Sequence, residues 1–304
     1  MVGSGAARYI RGPERRAFLR WDRDRIWARL FFSTRGAIFK GFTQRISYAQ
    51  STPAANYMLD QNQLRDSLLA IDGQGYKAYK DLRGIYRFTN FTLHIDHVQG
   101  DPFAAPSRLR VEVAQTQANY PPATYANTSR ANGLCTYLAS QFAHHCHRVR
   151  TKRGSGKSGL IEIDSPSQEI LERTCIQVDN TRVEARFAVG LPAQGRRVLG
   201  RQAAELLLED IPAIVAASLS YAQNDGDEIE RYVQVAEDAD VLRTQLVAHG
   251  LVAFVAEDSI LPRRSGVDDR PLVDDSVPFK TPASLCVEIT LPNAGPVSGM
   301  GVPA

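Results

Sequence analysis

Four cysteines in 304 residues are too few and too scattered for a disulfide framework. Cys135, Cys146, Cys175 and Cys286 form no CxxC pair, which removes the common thiol metal and redox motifs and fits a reducing compartment. Long apolar runs are missing as well. The nearest one, LLLEDIPAIVAASL, is broken by Glu209, Asp210 and Pro212, so no membrane span is expected. Neither an apolar h-region for secretion nor an internal repeat is visible.

What remains is an ordinary globular composition, 43% hydrophobic and 23% charged, in a chain long enough for two domains. The net charge of +3 conceals an asymmetry. Residues 1–60 hold ten Arg and one Lys against Glu14, Asp22, Asp24 and Asp60, a balance of +7, which leaves −4 for the rest. This Arg-rich extension has the composition of a disordered segment, an organelle transit peptide or a nucleic-acid-binding arm. The protein is therefore expected to be cytoplasmic, or organellar if the extension is a targeting segment.

From Asn62 onward, periodicity points to an α/β fold. Leu64, Leu68, Leu69 and Ile71 mark a helical face ending at the turn DGQG, residues 72–75. Alternation predicts one strand over 86–96 and another in RLRVEV, then a loop over 114–129 and a helix from about Leu134 to Val149. LIEID, CIQV and RVEARFAV read as strands, SQEILER as a helical turn or two. Residues 196–221 read as two helices, or one bent at Pro212. Asp225, with Glu228 three residues on, signals a helix start, and the next helix places Ile229, Tyr232, Val233, Ala236, Ala239, Leu242 and Leu246 on one face before Gly250. LVAFVA and SLCVEITL read as strands.

Three constellations carry chemistry. GSGKSG has the letters of a phosphate loop, but the required Gly five residues before Gly156 is Thr151. No buried strand precedes it and no helix opens after it, so it fails as an ordinary ATP site. Arg148, Arg150, Lys152, Arg153 and Lys157 still gather five cations in ten residues, and with Gly154, Ser155, Gly156 and Ser158 they form either a solvated basic hairpin or an anion contact. In HHCH, His144 and His147 share a helical face beside Cys146, but no second Cys/His pair exists, so no metal site is assigned. Finally, three turns pack charges between Gly and Pro. Their Lys77, Lys80, Asp81, Arg83, Asp96, His97, Asp101, Arg263, Arg264, Asp268, Asp269 and Arg270 either fix loop shape through ion pairs or line a site.

At these turns the chain resembles a known family, the predicted P-loop ATPases of the ABC class. The resemblance rests on LRDSLLAIDGQGYKAYKDLRG, FTLHIDHVQGDPFAAPSRLRV, RGSGKSGLIEID with QEILERT, VEARFAVGLPAQGRRVLGRQAAELL, GLVAFVAEDSILPRRSGVDDRPL and ITLPNAGPVSGMGVP, colinear from about Asn62 to the last residue. It implies a basic extension over 1–60, an N-terminal α/β domain over 61–182 and the opening of an ABC-type ATPase domain over 183–304. ATP and Mg²⁺ are the cofactors that the full-length family implies. The resemblance also places the true Walker A loop, the Walker B acid, the signature loop and the switch histidine beyond Ala304, so the chain is expected to be truncated before its catalytic motifs and to turn over no ATP. It makes GSGKSG a family feature, which favours an anion contact. A competing class is a single-stranded nucleic-acid or polyphosphate binding module built from the arm and residues 148–157. A third is a self-associating scaffold or homo-oligomer.

Overall fold

The computed structural model describes residues 58–165, 167–274 and 276–304. The Arg-rich extension lies outside the described residues except for its last three. Alternating apolar residues build a seven-stranded sheet from β1 (Met58–Asp60), β2 (Gly84–Arg87), β3 (Thr92–His97), β4 (Ser107–Ala114), β5 (Ile161–Glu162), β6 (Ile176–Val178) and β7 (Arg182–Val189). The order is β1-β2-β3-β4-β7-β5, with β6 also on β7. The β1–β2 pair is parallel and the others are antiparallel.

Leu93, Ile95, Leu109, Val111, Val113, Val183, Ala185 and Phe187 are buried on one sheet face, as the period of two requires. Against this face packs α3 (Thr128–Val149), with Phe142 on Phe187. The other face carries Thr92, His94, Arg110, Glu112, Glu184 and Arg186 on the same cross-strand rows. There Glu184, only 2% exposed, takes Arg110, Arg182 and Arg186, while Arg110 also reaches Asp96 and Glu112. Arg110 Nη2 lies 2.9 Å from His94 Nδ1, and burial together with this guanidinium holds the imidazole below its ordinary value.

Several local expectations change. The strand over 86–96 is two strands, β2 and β3, because Phe88 N–H donates to Phe91 O and the two rings stack at the turn. Residues 114–129 contain α2 (Gln115–Ala118) and a 3₁₀ turn at Pro122–Tyr125. The long helix starts six residues early, at Thr128, since the Asn127 side chain accepts Arg130 N–H as an N-cap. SQEILER is not helical: Leu171 is exposed, so no apolar face is available, and Arg173 ties the segment down through Asp164 and Glu169.

The Asp60–Gln63 capping box opens α1 (Gln61–Ala70), which buries Leu64 and Leu68 but exposes Leu69. The stretch expected to bend at Pro212 is α4 (Gly200–Glu205), a π-helical turn over Leu206–Asp210 and α5 (Ile211–Ser218). Pro212 has no N–H to donate back, and its ring needs the room that a wide turn supplies.

Asp225 caps α6 (Gly226–Ala248) through the Asp227 and Glu228 amides, and Gly250 follows in the left-handed region. Beyond it β10 (Leu251–Ala256), β11 (Cys286–Leu291) and β12 (Gly295–Pro303) form a small sheet in the order β10-β12-β11. Two hydrophobic clusters result, and α6 serves both. Ile229 and Val233 join the large one, Leu242 and Leu246 the small one. β7, which spans residues 182 and 183, pairs over its whole length with β4 in the first sheet. No helix among the described residues is long and apolar enough to cross a membrane.

Candidate functional site

Four loops meet where β3 and β7 end and β4 begins. They are the turn at 72–75, the 99–106 loop, the GSGKSG loop, and a hairpin of β8 (Ala193–Gln194) and β9 (Arg197–Val198). The hairpin is the centre of the arrangement. On one side Tyr76 N–H donates to Arg196 O (2.8 Å), Gly73 N–H to Val198 O (3.0 Å) and Arg197 Nη1 to Gly73 O (3.0 Å). On the other, Ser155 N–H donates to Ala193 O (2.7 Å) and Gly195 N–H to Ser155 Oγ (2.9 Å). Two buried phenols anchor the segment between β7 and the hairpin, Tyr76 on Leu191 O and Tyr79 on Pro192 O; burial raises the pKa of both, so they stay neutral donors.

Within GSGKSG, the amides of Ser155, Lys157, Ser158 and Gly159 and both serine hydroxyls are committed to the protein, while the Lys157 ammonium is exposed. Lys157 N–H donates to Pro102 O, Ser158 N–H to Ser155 O and Gly159 N–H to Gly190 O. The Ser158 hydroxyl, 3% exposed, donates to Ser155 O (2.6 Å) and accepts Ala193 N–H (3.0 Å). Neither an open row of amides nor a free hydroxyl remains for ATP and Mg²⁺, so these residues do not fit that group. Gly156 shows how tight the closure is. Its φ is +61°, and a Cβ there would stand 2.4 Å from Pro102 O.

The basic residues separate into two kinds. Arg153 is a structural ion, paired with Asp210 of the π-helical turn at 2.9 Å and donating to Gln202 O. Burial raises the Asp210 pKa, and Arg153 opposes that rise. Arg148, Arg150, Lys152 and Lys157 are exposed, as are Lys77, Lys80, Arg83, Arg196, Arg197 and Arg201. Among the described residues none of these ten forms an ion pair with a carboxylate. The neighbouring acids are partly engaged: Asp101 accepts Phe103 and Ala104 N–H, and Asp72 accepts Gly200 N–H, while Asp81 is exposed on the 3₁₀ helix Tyr76–Leu82.

The remaining residues from the charged turns lie elsewhere. Asp96 pairs with Arg110 on the sheet face, and His97 is exposed at the end of β3. Arg263, Arg264, Asp268, Asp269 and Arg270 belong to a separate hairpin closed by Arg264 N–H to Arg270 O. There Arg270 holds Asp268 down at about 2, and Asp269 accepts Gln168 N–H (3.3 Å). Of HHCH, Cys146 is buried and its thiol is pushed up to about 12 by burial. Burial and Arg148 lower the pKa of His144 and His145. Among the described residues no three His, Cys, Asp or Glu side chains converge as a metal ion requires.

Sequence reasoning missed the hairpin itself. Arg196, Arg197 and Arg201 were overlooked because two-residue strands carry no periodicity; the visible signal was GRR beside a glycine turn. Asp210 was likewise hidden in a helical stretch.

A family model described as the N-terminal domain of ATPases of the ABC class matches residues 61–222, and one for the P-loop domain of these ATPases matches 225–304. The two meet just before the Asp225 cap of α6. No curated protein matches the chain.

Proposed function

We propose, for a chain that belongs to the ABC-class ATPases, that its N-terminal unit holds a phosphate backbone on the loop platform around β8 and β9. ATPases of this class use a nucleotide with Mg²⁺. The residues of GSGKSG do not fit that role, and the 304 residues contain no Gly-x-x-x-x-Gly-Lys-Ser/Thr. These residues alone are expected to turn over no ATP, with or without Mg²⁺. Turnover abolished by Lys157→Ala would overturn this reading of the loop.

One observation supports the backbone reading: the GSGKSG loop, the β8–β9 hairpin and the segments flanking them display exposed cations that lack carboxylate partners among the described residues. Single-stranded nucleic acid is the proposed ligand, because exposed, separated cations suit a repeating phosphate chain better than one compact anion. Such contacts carry little sequence information, so different bases should bind alike. The test is titration of a labelled single strand into the full chain and into the variant with Arg150, Lys152, Lys157 and Arg196 all changed to Ala. Each phosphate contact contributes roughly −0.7 to the salt slope, so the variant should lose roughly 2.8 of it. An unchanged slope and affinity would refute the platform.

Self-association is a second reading, supported by Leu261, Val267, Val273 and Val277, which are exposed along one excursion between β10 and β11. Sedimentation velocity over a concentration series tests it. A monomer at all concentrations excludes it.

A further inference from the structure

Glu237, near the middle of α6, is the point where three distant parts of the chain meet. Its carboxylate takes Arg130 Nη1 (2.9 Å) and Asn127 Nδ2 (2.7 Å) from the start of α3, and Asn293 Nδ2 (3.0 Å) from the β11–β12 turn. These three donors hold its pKa below the ordinary glutamate value, the Asn293 amide first among them. Arg130, 11% exposed along its side chain, also takes Glu230 at 2.8 Å. The neighbouring Asp238 is 9% exposed and accepts the backbone N–H groups of both Asn293 and Ala294 at 2.9 Å.

The remainder of the seam has a consistent character. Apolar packing between the two clusters runs through α6, which belongs to both. Direct contacts across the seam besides α6 include the polar one from Gln168 N–H to Asp269. Polar contacts near solvent exchange readily for water, whereas apolar contacts do not. The first half of α6 is also fixed to α3. At Gly133 the two helices approach so closely that a Cβ would stand 2.6 Å from Tyr232 O. Displacement of the small sheet therefore falls beyond this crossing, where Glu237 and Asp238 meet the β11–β12 turn and Ser129 Oγ donates to Asp240.

We propose that Arg130, Glu237 and Asn293 form a latch that holds the small sheet of the P-loop unit against the N-terminal unit, with the second half of α6 as its hinge. The latch transmits from α3 to the β11–β12 turn. Among the described residues Arg130 makes no hydrogen bond to β11 or β12, so an effect of Arg130 on that sheet must pass through its neighbours, chiefly α6, where it holds Glu230 and Glu237 and where Glu237 alone of the two reaches Asn293. This relay does not depend on what the loop platform binds.

Hydrogen exchange on the full chain, read by mass spectrometry of its peptides, tests the latch. Arg130→Met should raise exchange of the amides in 286–303 about tenfold, since it removes the charge-assisted hydrogen bonds to Glu237 and Glu230. Amides of β4 and β7 should keep their wild-type rates. Asn293→Ala, a change at an exposed turn that leaves both clusters intact, should give the same regional pattern. The latch is refuted if either variant leaves 286–303 at wild-type rates. It is equally refuted if Arg130→Met speeds β4 and β7 as much as the small sheet, because that would be general destabilisation.

Discussion

Two arginine-rich surfaces of this protein do opposite things. On the open sheet face, Arg110, Arg182 and Arg186 converge on Glu184, with Glu112 and Asp96 completing the network. On the loop platform, Arg148, Arg150, Arg196 and Arg201 face water with no carboxylate partner among the described residues. Residue type is the same on both surfaces; the supply of carboxylates is not. Regular strands place Glu and Arg on adjacent rows at matched spacing, so charges there become structure. The platform loops are closed by backbone hydrogen bonds together with the Arg153–Asp210 pair, and their other cations have no carboxylate partner among the described residues. A basic surface is therefore read by its partners, not its composition.

The sharpest way to break this contrast is to remove the hub of the paired surface. Glu184→Leu leaves three guanidinium groups without their shared buried carboxylate and should cost about 3 kcal/mol of stability in chemical denaturation. Binding of single-stranded nucleic acid at low temperature should be unaffected.

Gly156→Ala attacks the platform's scaffold. A side chain at φ +61°, 2.4 Å from Pro102 O, should cost about 1–3 kcal/mol and weaken ligand binding while every cation is still present. Full-strength binding by a folded Gly156→Ala protein would show that the loop geometry is irrelevant to the ligand.

Acid titration separates the surfaces by pH. His94 faces Arg110, Glu112, Asp96 and Glu184, and its pKa lies below the ordinary 6.5 through burial and Arg110. A depressed imidazole contributes stability that is present above 6.5 and lost as pH falls through the folded value. The thermal midpoint should therefore drop on acidification below about pH 6.5, and His94→Gln should flatten that slope.

The smallest effect sharpens the comparison most. Arg196→Ala should shift stability by no more than about 0.5 kcal/mol and lower the salt slope of binding by roughly 0.7. A large stability loss at Arg196 would place it with the paired arginines.

Much of the fold was legible. The period-two runs in RLRVEV and RVEARFAV, the Asp225 cap and the Gly250 stop mark elements that local chemistry alone specifies. The two ends of α3 differ in this respect. A helix from about Leu134 was legible, but its true start depends on the Asn127 side chain, which leaves Gly133 inside the helix. Only the facing backbone of α6 explains that glycine. SQEILER shows the opposite case, a segment with helical letters and no surface to bury Leu171.

The sequence by itself determined where the chemistry-bearing letters lie and that GSGKSG lacks the spacing of a phosphate loop, because spacing and local periodicity are properties of neighbours along the chain. Tertiary structure decided which arginines are ions of the scaffold and which are open to a ligand. Arg153 and Lys157 are four residues apart in one basic run, yet one is bound to Asp210, more than fifty residues away, and the other faces solvent. Pairing of charges depends on distances between segments remote in sequence, and only the folded chain sets those distances.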